Sequence, residues 1–280
     1  MKVLVTGVKG QLGYDVVKEL SSRNIQCIGV DIDDFDLTDR TQVIDYIKDY
    51  APDTIVHCAA FTAVDRAEED KELCYKVNVE GCENILAAAK EVDAKVMYFS
   101  TDYVFDGTGT RPWEPDDKPD PQGYYGLTKL QGEQVFADYE KTYILRISWV
   151  FGENGKNFIK AMLGLAQTRD EISVVADQIG SPTYTADLAV LICDMLATDK
   201  YGVYHASNEG FCSWAEFAEF IFETAGKQVK VNHITTEEFG APAPRPKNSR
   251  MSKQKLIDSG FSLLPTWQDA AKRYIAIITG

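Results

Sequence analysis

The sequence predicts an α/β protein, a Rossmann-type doubly wound parallel sheet with a smaller C-terminal α/β region. Three observations predict it. Short apolar runs rich in β-branched residues alternate with helically spaced segments from Lys2 to Ile147. A glycine-rich turn, Thr6-Gly7-Val8-Lys9-Gly10-Gln11-Leu12-Gly13, closes the first run and opens the first helix. After Val150 the rhythm breaks at Gly152, Asn154, Gly155 and Asn157, and shorter elements follow.

Lys2 to Thr6 is the first predicted strand, and Leu12, Val16, Val17 and Leu20 mark the helix after it. Ile25 to Val30 and Thr54 to Ala59 are the next strands, with an amphipathic segment around Val43, Ile44 and Ile47 between them. A long helix over 72 to 90 leads to a strand at Lys95 to Phe99, and a helix from Tyr125 to Tyr139 leads to one at Tyr143 to Ile147. Uninterrupted apolar strands joined by helices imply a parallel sheet buried on both faces. In the second region Ile172 to Ala176, Gly202 to Ala206 and Val229 to Ile234 read as strands. Ser213 to Ala225 reads as a helix in which Ser213 is the N-cap and Glu216 completes a capping box. Pro242, Pro244 and Pro246 exclude regular structure from Ala241 to Pro246, since each removes a backbone donor and fixes φ. Residues 1–150 are expected to form the dinucleotide-binding domain and 151–280 mainly a substrate-binding region, with later segments returning to the first.

The chain has 280 residues, 45% hydrophobic and 26% charged, which suits a folded protein of one large or two unequal domains. Its formal charge of -14 argues against nucleic acid as a partner, because release of phosphate counterions needs a basic surface. No apolar run approaches the roughly 20 residues of a membrane span, and the N-terminus lacks the layout of a signal peptide, so a cytoplasmic protein with no membrane partner is expected. Six cysteines without a C-x-x-C pair read as buried reduced thiols. His57, His205 and His233 lack metal-ligand spacing and read as structural, so no residue is assigned to a metal.

The glycine-rich turn carries the first chemistry. Gly7, Gly10 and Gly13 permit a tight turn, close approach of a pyrophosphate and packing of helix on sheet, while the helix N-terminus offers free N–H groups to the anion. Asp31, ending the second strand, is placed to accept both hydroxyls of an adenosine ribose and to repel a 2′-phosphate. The second is Tyr125-Gly126-Leu127-Thr128-Lys129, whose spacing sets a phenol and an ammonium on one helix face. An ammonium there would lower the phenol pKa and fit Tyr125 for proton donation. Ser100, Thr101, Asp102 and Tyr103 follow an apolar strand at the carboxyl edge of the sheet, where open α/β folds bind ligands.

With these motifs in order, the chain resembles the extended short-chain dehydrogenase/reductase family, and within it the reductases of nucleotide-linked 4-keto-6-deoxysugars. The stretches Ala59 to Glu68, Ser100 to Gly107, Tyr125 to Leu130, Arg146 to Gly152, Gly180 to Thr183 and Arg245 to Ser249 carry the closer likeness. The resemblance implies Thr101, Tyr125 and Lys129 as the catalytic set. It implies a cofactor site of Gly7, Gly10, Gln11, Leu12, Gly13, Asp31, Ala59, Ala60, Thr62, Tyr125 and Lys129, and substrate contacts from Asp102, Tyr103, Trp149 and Arg245. The implied reaction is reduction of the C4 ketone of dTDP-4-dehydro-6-deoxy-L-mannose to dTDP-L-rhamnose. NADH is expected as cofactor, with NADPH also accepted. A homodimer is implied, with Mg²⁺ at the interface in some members. Asn78 reads equally as a positioning residue and as a helix residue bonded to nearby backbone. Arg245 and Arg250 read equally as a diphosphate clamp and as surface arginines.

Two other functions stay open. A dehydratase or epimerase of the same family is one; a 4,6-dehydratase places Glu directly after the Thr-Asp pair, where this chain has Tyr103, and so loses its general base. A non-catalytic nucleotide-binding subunit is the other, although such a subunit typically loses the Tyr or Lys retained here.

Overall fold

The computed structural model describes residues 1–280. Six strands form the main sheet: β1 Lys2–Thr6, β2 Gln26–Val30, β3 Thr54–His57, β4 Lys95–Thr101, β5 Thr142–Ile147 and β6 Gly202–His205. They lie in the order β6-β5-β4-β3-β1-β2, and every neighbouring pair is parallel. Strand order reverses at β1, which leaves a crevice at the carboxyl ends of β1 and β3.

Alternation along the strands sends side chains to two cores. Val3 and Val5 join Leu12, Val16 and Leu20 of the helix Gln11–Ser22, and Leu188, Ile192 and Leu196 of the helix Thr185–Leu196. Leu4, Ile55 and Val96 pack the other way, against the helices Arg40–Tyr50, Gly81–Val92 and Tyr124–Phe136. Each of these fully buried aliphatic side chains contributes about 1.5–3 kcal/mol relative to exposure. Both β6 and the helix Thr185–Leu196 follow Val150 in sequence yet complete the first core.

A third core, rich in aromatics, holds the remainder of the second region. Phe151, Tyr184, Phe217, Trp267 and Tyr274 pack between the helices Phe158–Leu165, Trp214–Thr224 and Trp267–Thr279. The strands Glu171–Val175 and Lys230–Ile234 pair in parallel beside it. The helix at Trp214 starts at Ser213 with the expected capping box to Glu216, and Ala241 to Pro246 has no regular structure. No helix is long and apolar enough to cross a membrane, and all six cysteines are free.

Several boundaries differ from expectation. β4 runs on past Phe99 to Thr101. β3 stops at His57, because the chain from Cys58 turns away to line the crevice. The helix expected to end at Tyr139 runs only from Tyr124 to Phe136. The long helix over 72 to 90 is three pieces: Lys71–Tyr75, a π-turn at Lys76–Glu80, and Gly81–Val92. The π-turn contains Asn78, whose Oδ1 accepts from Phe61 N at 2.8 Å while its Nδ2 donates to Phe61 O and Thr128 Oγ1, each at 3.1 Å. Such widened turns carry no hydrophobic period that a sequence could reveal. Asn78 thus braces the loop after β3 against the helix that carries Tyr125.

Candidate active site

A cleft of about 650 Å³ opens over the carboxyl ends of β1, β3 and β4. At one end lies the glycine turn. Gly7 has φ +71°, and a Cβ there would come 2.6 Å from Ala59 N. A Cβ on Gly13 would collide with the Gly7 carbonyl. Both positions therefore demand glycine, and the close backbone that results is the cradle a pyrophosphate requires. Gly10, Gln11 and Leu12 line the cleft with them, as do Ala59, Ala60 and Thr62 from the loop after β3.

Asp31 lies beside the turn at the end of β2. Its Oδ2 accepts from Lys9 N at 2.8 Å and its Oδ1 from Ile32 N at 2.9 Å, so the carboxylate is fixed against the glycine loop. The Lys9 ammonium pairs with Asp33, two residues on. Lys9 belongs to the glycine turn, and the fold brings it to Asp33 although the two are far apart in sequence.

The opposite part of the cleft collects the remaining predicted residues. Ser100, Thr101, Asp102 and Tyr103 line it from the end of β4, and Tyr125 and Lys129 from the helix Tyr124–Phe136. Tyr103 meets Tyr125 edge to face, with centroids 5.5 Å apart. Thr101 Oγ1 donates to Asp102 Oδ1 at 3.0 Å and accepts from Tyr103 N at 3.3 Å. Burial raises the Asp102 carboxyl to about 6. The Ser100 hydroxyl is buried without a partner.

Burial also pushes the Tyr125 phenol well above its ordinary value, opposed by a hydrogen bond with Thr101. The Lys129 ammonium lies 4.2 Å from the centroid of the Tyr98 ring, and burial lowers it to about 8. Desolvation of the tyrosinate thus outweighs any help from Lys129 in the free protein, and the phenol stays protonated, as a proton donor must be.

His57, expected to be purely structural, is part of the cleft wall. Thr6 Oγ1 accepts from Ala59 N and shares a hydrogen bond with His57 Nδ1 at 2.8 Å. His57 Nε2 is buried without a partner. Burial lowers this histidine to about 3, so it is neutral at physiological pH. His205 is likewise neutral, lowered to about 3 by burial next to Arg146.

Trp149 lines the cleft in a left-handed backbone, φ 49°, which is costly for a tryptophan. Its indole stacks on Trp214 at 3.7 Å and 14°, and Gly180 passes so close that a Cβ there would lie 2.9 Å from the ring. The indole is a fixed wall packed from behind.

Arg245 reaches the site through Tyr103, donating to its hydroxyl at 3.2 Å, and pairs with Asp65 at 2.7 Å. Arg250 does not join it; its guanidinium donates to Asn248 Oδ1 at 2.9 Å, away from the cleft. Arg146 is also away from the chemistry, in a two-point buried pair with Glu133 at 2.9 and 2.7 Å. No group of three or more His, Cys, Asp or Glu side chains within this chain is arranged to hold a metal, and no step is assigned to Mg²⁺.

A parallel sheet with a glycine cradle at its switch point, a Tyr and Lys one helical turn apart and a Thr at the end of the adjoining strand together define an extended short-chain dehydrogenase/reductase. Comparison narrows the class: the chain belongs to the family described as RmlD substrate binding domain, whose model matches residues 1–279. It is 38% identical to the dTDP-4-dehydrorhamnose reductase of Sinorhizobium fredii, over 98% of this chain and 97% of that one. It is 39% identical to the spore coat polysaccharide biosynthesis protein SpsK of Bacillus subtilis, over 98% of this chain and 96% of that one. Among solved structures, a dTDP-4-dehydrorhamnose reductase of Clostridium acetobutylicum superposes with a TM-score of 0.97 at 42% identity, covering 100% of both chains. The Bacillus anthracis enzyme, in complex with NADP, superposes at 0.96 with 43% identity, over 99% of this chain and 100% of that one.

Proposed function

We propose that the protein reduces the C4 ketone of dTDP-4-dehydro-6-deoxy-L-mannose to dTDP-L-rhamnose with a reduced nicotinamide dinucleotide. The observation that carries this reading is the shared cleft: Thr101, Tyr125 and Lys129 line one part and the Gly7 to Gly13 cradle the other. Tyr103 stands where a 4,6-dehydratase has its base, which favours reduction. The family match and the full-length likeness to named reductases supply the sugar and the nucleotide.

The residues present fit the cofactor, since two glycines leave room that any side chain would fill and the Ser100 hydroxyl and His57 Nε2 are unpartnered at the cleft. Gly7, Gly10, Gln11, Leu12 and Gly13 would hold its pyrophosphate, Asp31 its adenosine ribose, and Ala59, Ala60 and Thr62 the path between. When bound, the cofactor supplies the hydride. Tyr125 then gives its phenolic proton to the oxygen developing at C4. Thr101 hydrogen-bonds the same oxygen, and Lys129 holds the nicotinamide ribose and stabilises the tyrosinate that remains. Asp102, Tyr103 and Trp149 border the sugar, and Arg245 faces its diphosphate.

Residues 1–150, with the segments that return after it, form the cofactor half; the rest of 151–280 forms the substrate half. NADH is expected to serve at least as well as NADPH. A cytoplasmic homodimer completes the reading, the free thiols being consistent with a reducing compartment; light scattering tests the dimer. The activity is tested by mixing the purified protein and NADH with the 4-keto product of the upstream dehydratase, with and without the 3,5-epimerase, and identifying the sugar. Reduction that needs the epimerase and gives dTDP-L-rhamnose supports it. Equal reduction without the epimerase assigns another deoxysugar, and no nucleotide oxidation in either mixture favours the binding subunit.

A further inference from the structure

The proline-rich segment Ala241 to Pro246 is tied to the rest of the molecule by a few defined contacts, two of which meet one short helix. Asp65, in the first turn of the helix Val64–Glu69, takes Arg245 Nη2 on Oδ2 at 2.7 Å and Ala243 N on Oδ1 at 3.2 Å. Glu68, a turn later, accepts Tyr124 N at 2.7 Å and so holds the start of the helix that carries Tyr125. Gly123, just before that helix, lies under Pro244, and Gly107, with φ +73°, lies so close to Pro246 that a Cβ there would be 2.6 Å from its Cα. The segment therefore runs from the helix Val64–Glu69 and the start of the helix Tyr124–Phe136 to the strand Asn248–Ser249, tied to the cleft wall through Tyr103.

Arg245 is the hinge of this arrangement. One nitrogen is neutralised by Asp65 and the other donates to the Tyr103 hydroxyl, at 3.2 Å, while the Tyr103 ring is held edge-on against Tyr125. The Arg245 side chain is only 18% exposed, so its orientation rests on these partners and not on water. Three prolines stiffen the backbone on either side, so fixing Arg245 and Ala243 fixes the whole strap.

We propose that Asp65 is the latch of this strap and a positioning residue for the reaction: through Arg245 it holds Tyr103 against the proton donor and presents a guanidinium to the diphosphate of the nucleotide sugar. This rests on the reading that the outer part of the cleft takes that substrate. Asp65 itself touches neither the reacting atoms nor the glycine cradle. Its loss is felt as a loosened strap and a weakened grip on the sugar nucleotide, with the cofactor unaffected.

The test compares Asp65→Ala and Asp65→Glu with the native protein by two measurements. Hydrogen exchange of the peptide covering residues 240–248 reads the strap directly, without substrate. Steady-state kinetics with the 4-keto sugar nucleotide reads the grip. Losing a charge-assisted contact of this kind is expected to speed exchange of the Ala243 amide about 10-fold and to raise KM for the sugar nucleotide about 10- to 100-fold. The Kd for NADH should stay as it was and kcat should fall less than KM rises, and Asp65→Glu should recover part of both effects. Unchanged exchange overturns the latch. Faster exchange with an unchanged KM, or an equal loss of NADH affinity, overturns the positioning role. If the native protein does not turn over this sugar at all, the proposed reaction fails, whereas the exchange measurement still decides whether Asp65 holds the strap.

Discussion

The hydroxyl of Thr101 donates to the carboxylate of Asp102 at 3.0 Å, at a point where both side chains are buried. With its one proton so directed and a lone pair taken by Tyr103 N, Thr101 must give up its bond to ionised Asp102 in order to donate to a substrate oxygen. Protonated Asp102 reverses the bond, donating to Thr101 and freeing the threonine proton. Burial raises Asp102 to about 6. The rate at saturating substrates is therefore expected to climb as pH falls through about 6, and Asp102→Asn should lack that inflection. A flat native profile between pH 5 and about 8 would count against a donor role for Thr101.

The same shift has a consequence for stability. Because the folded carboxyl titrates above its unfolded value, the native state binds more protons between roughly pH 4 and about 6, and stability is lost as pH rises through that window. Above it, Asp102→Asn is expected to be the more stable protein, by on the order of 1–3 kcal/mol. Urea unfolding of both proteins at pH 5 and pH 8 measures this; a variant less stable at pH 8 than the native chain contradicts it.

Tyr125→Phe removes the only phenol that combines a place in the cleft with the Lys129 spacing. Its kcat should drop by about 10²- to 10⁴-fold, the usual scale for loss of a general acid, with NADH affinity little changed. Near-native turnover would reject Tyr125 as the proton donor.

Lys129 is lowered to about 8 by burial, so its positive charge disappears as pH rises through that value. Affinity for the cofactor, titrated by fluorescence, should weaken over the same range, and Lys129→Met should be weak and pH-independent. A native Kd that holds constant to pH 9.5 or so would show that the charge is not used in binding.

Much of this was readable beforehand because it depends on local signals. The period of Val3, Val5 and Leu12, the glycines of the first turn and the Ser213 capping box each specify structure within a few residues. The Tyr125 and Lys129 pair was equally local. What escaped was decided by distant segments. Lys9 meets Asp33 from the end of the neighbouring strand, Asn78 acts through a π-turn on Phe61, and Trp214 backs Trp149 from a separate helix. Arg146 stands in one of the stretches that carried the resemblance, yet its partner is the buried Glu133, a pairing with no spacing rule to expose it.

In the proposed reading, cofactor choice is expected to turn on the competition between Lys9 and the acids around it. A 2′-phosphate brought to the adenosine ribose would meet Asp31, held in place by Lys9 N and Ile32 N, with Asp33 and Asp34 close behind. Repulsion from these would favour NADH. The Lys9 ammonium is the one cation among the residues that line this end of the cleft, and Asp33 occupies it. Asp33→Asn should therefore release Lys9 and improve NADPH relative to NADH, by about 3- to 10-fold in kcat/KM, as expected for one exposed ion pair. Lys9→Gln should weaken NADPH while leaving NADH nearly untouched, because Lys9 N, which holds Asp31, is backbone. Raising the salt concentration should narrow the difference, since these charges face water. Equal effects of Lys9→Gln on the two cofactors would place the adenosine ribose away from this cluster, and the preference would then have to come from Asp31 alone.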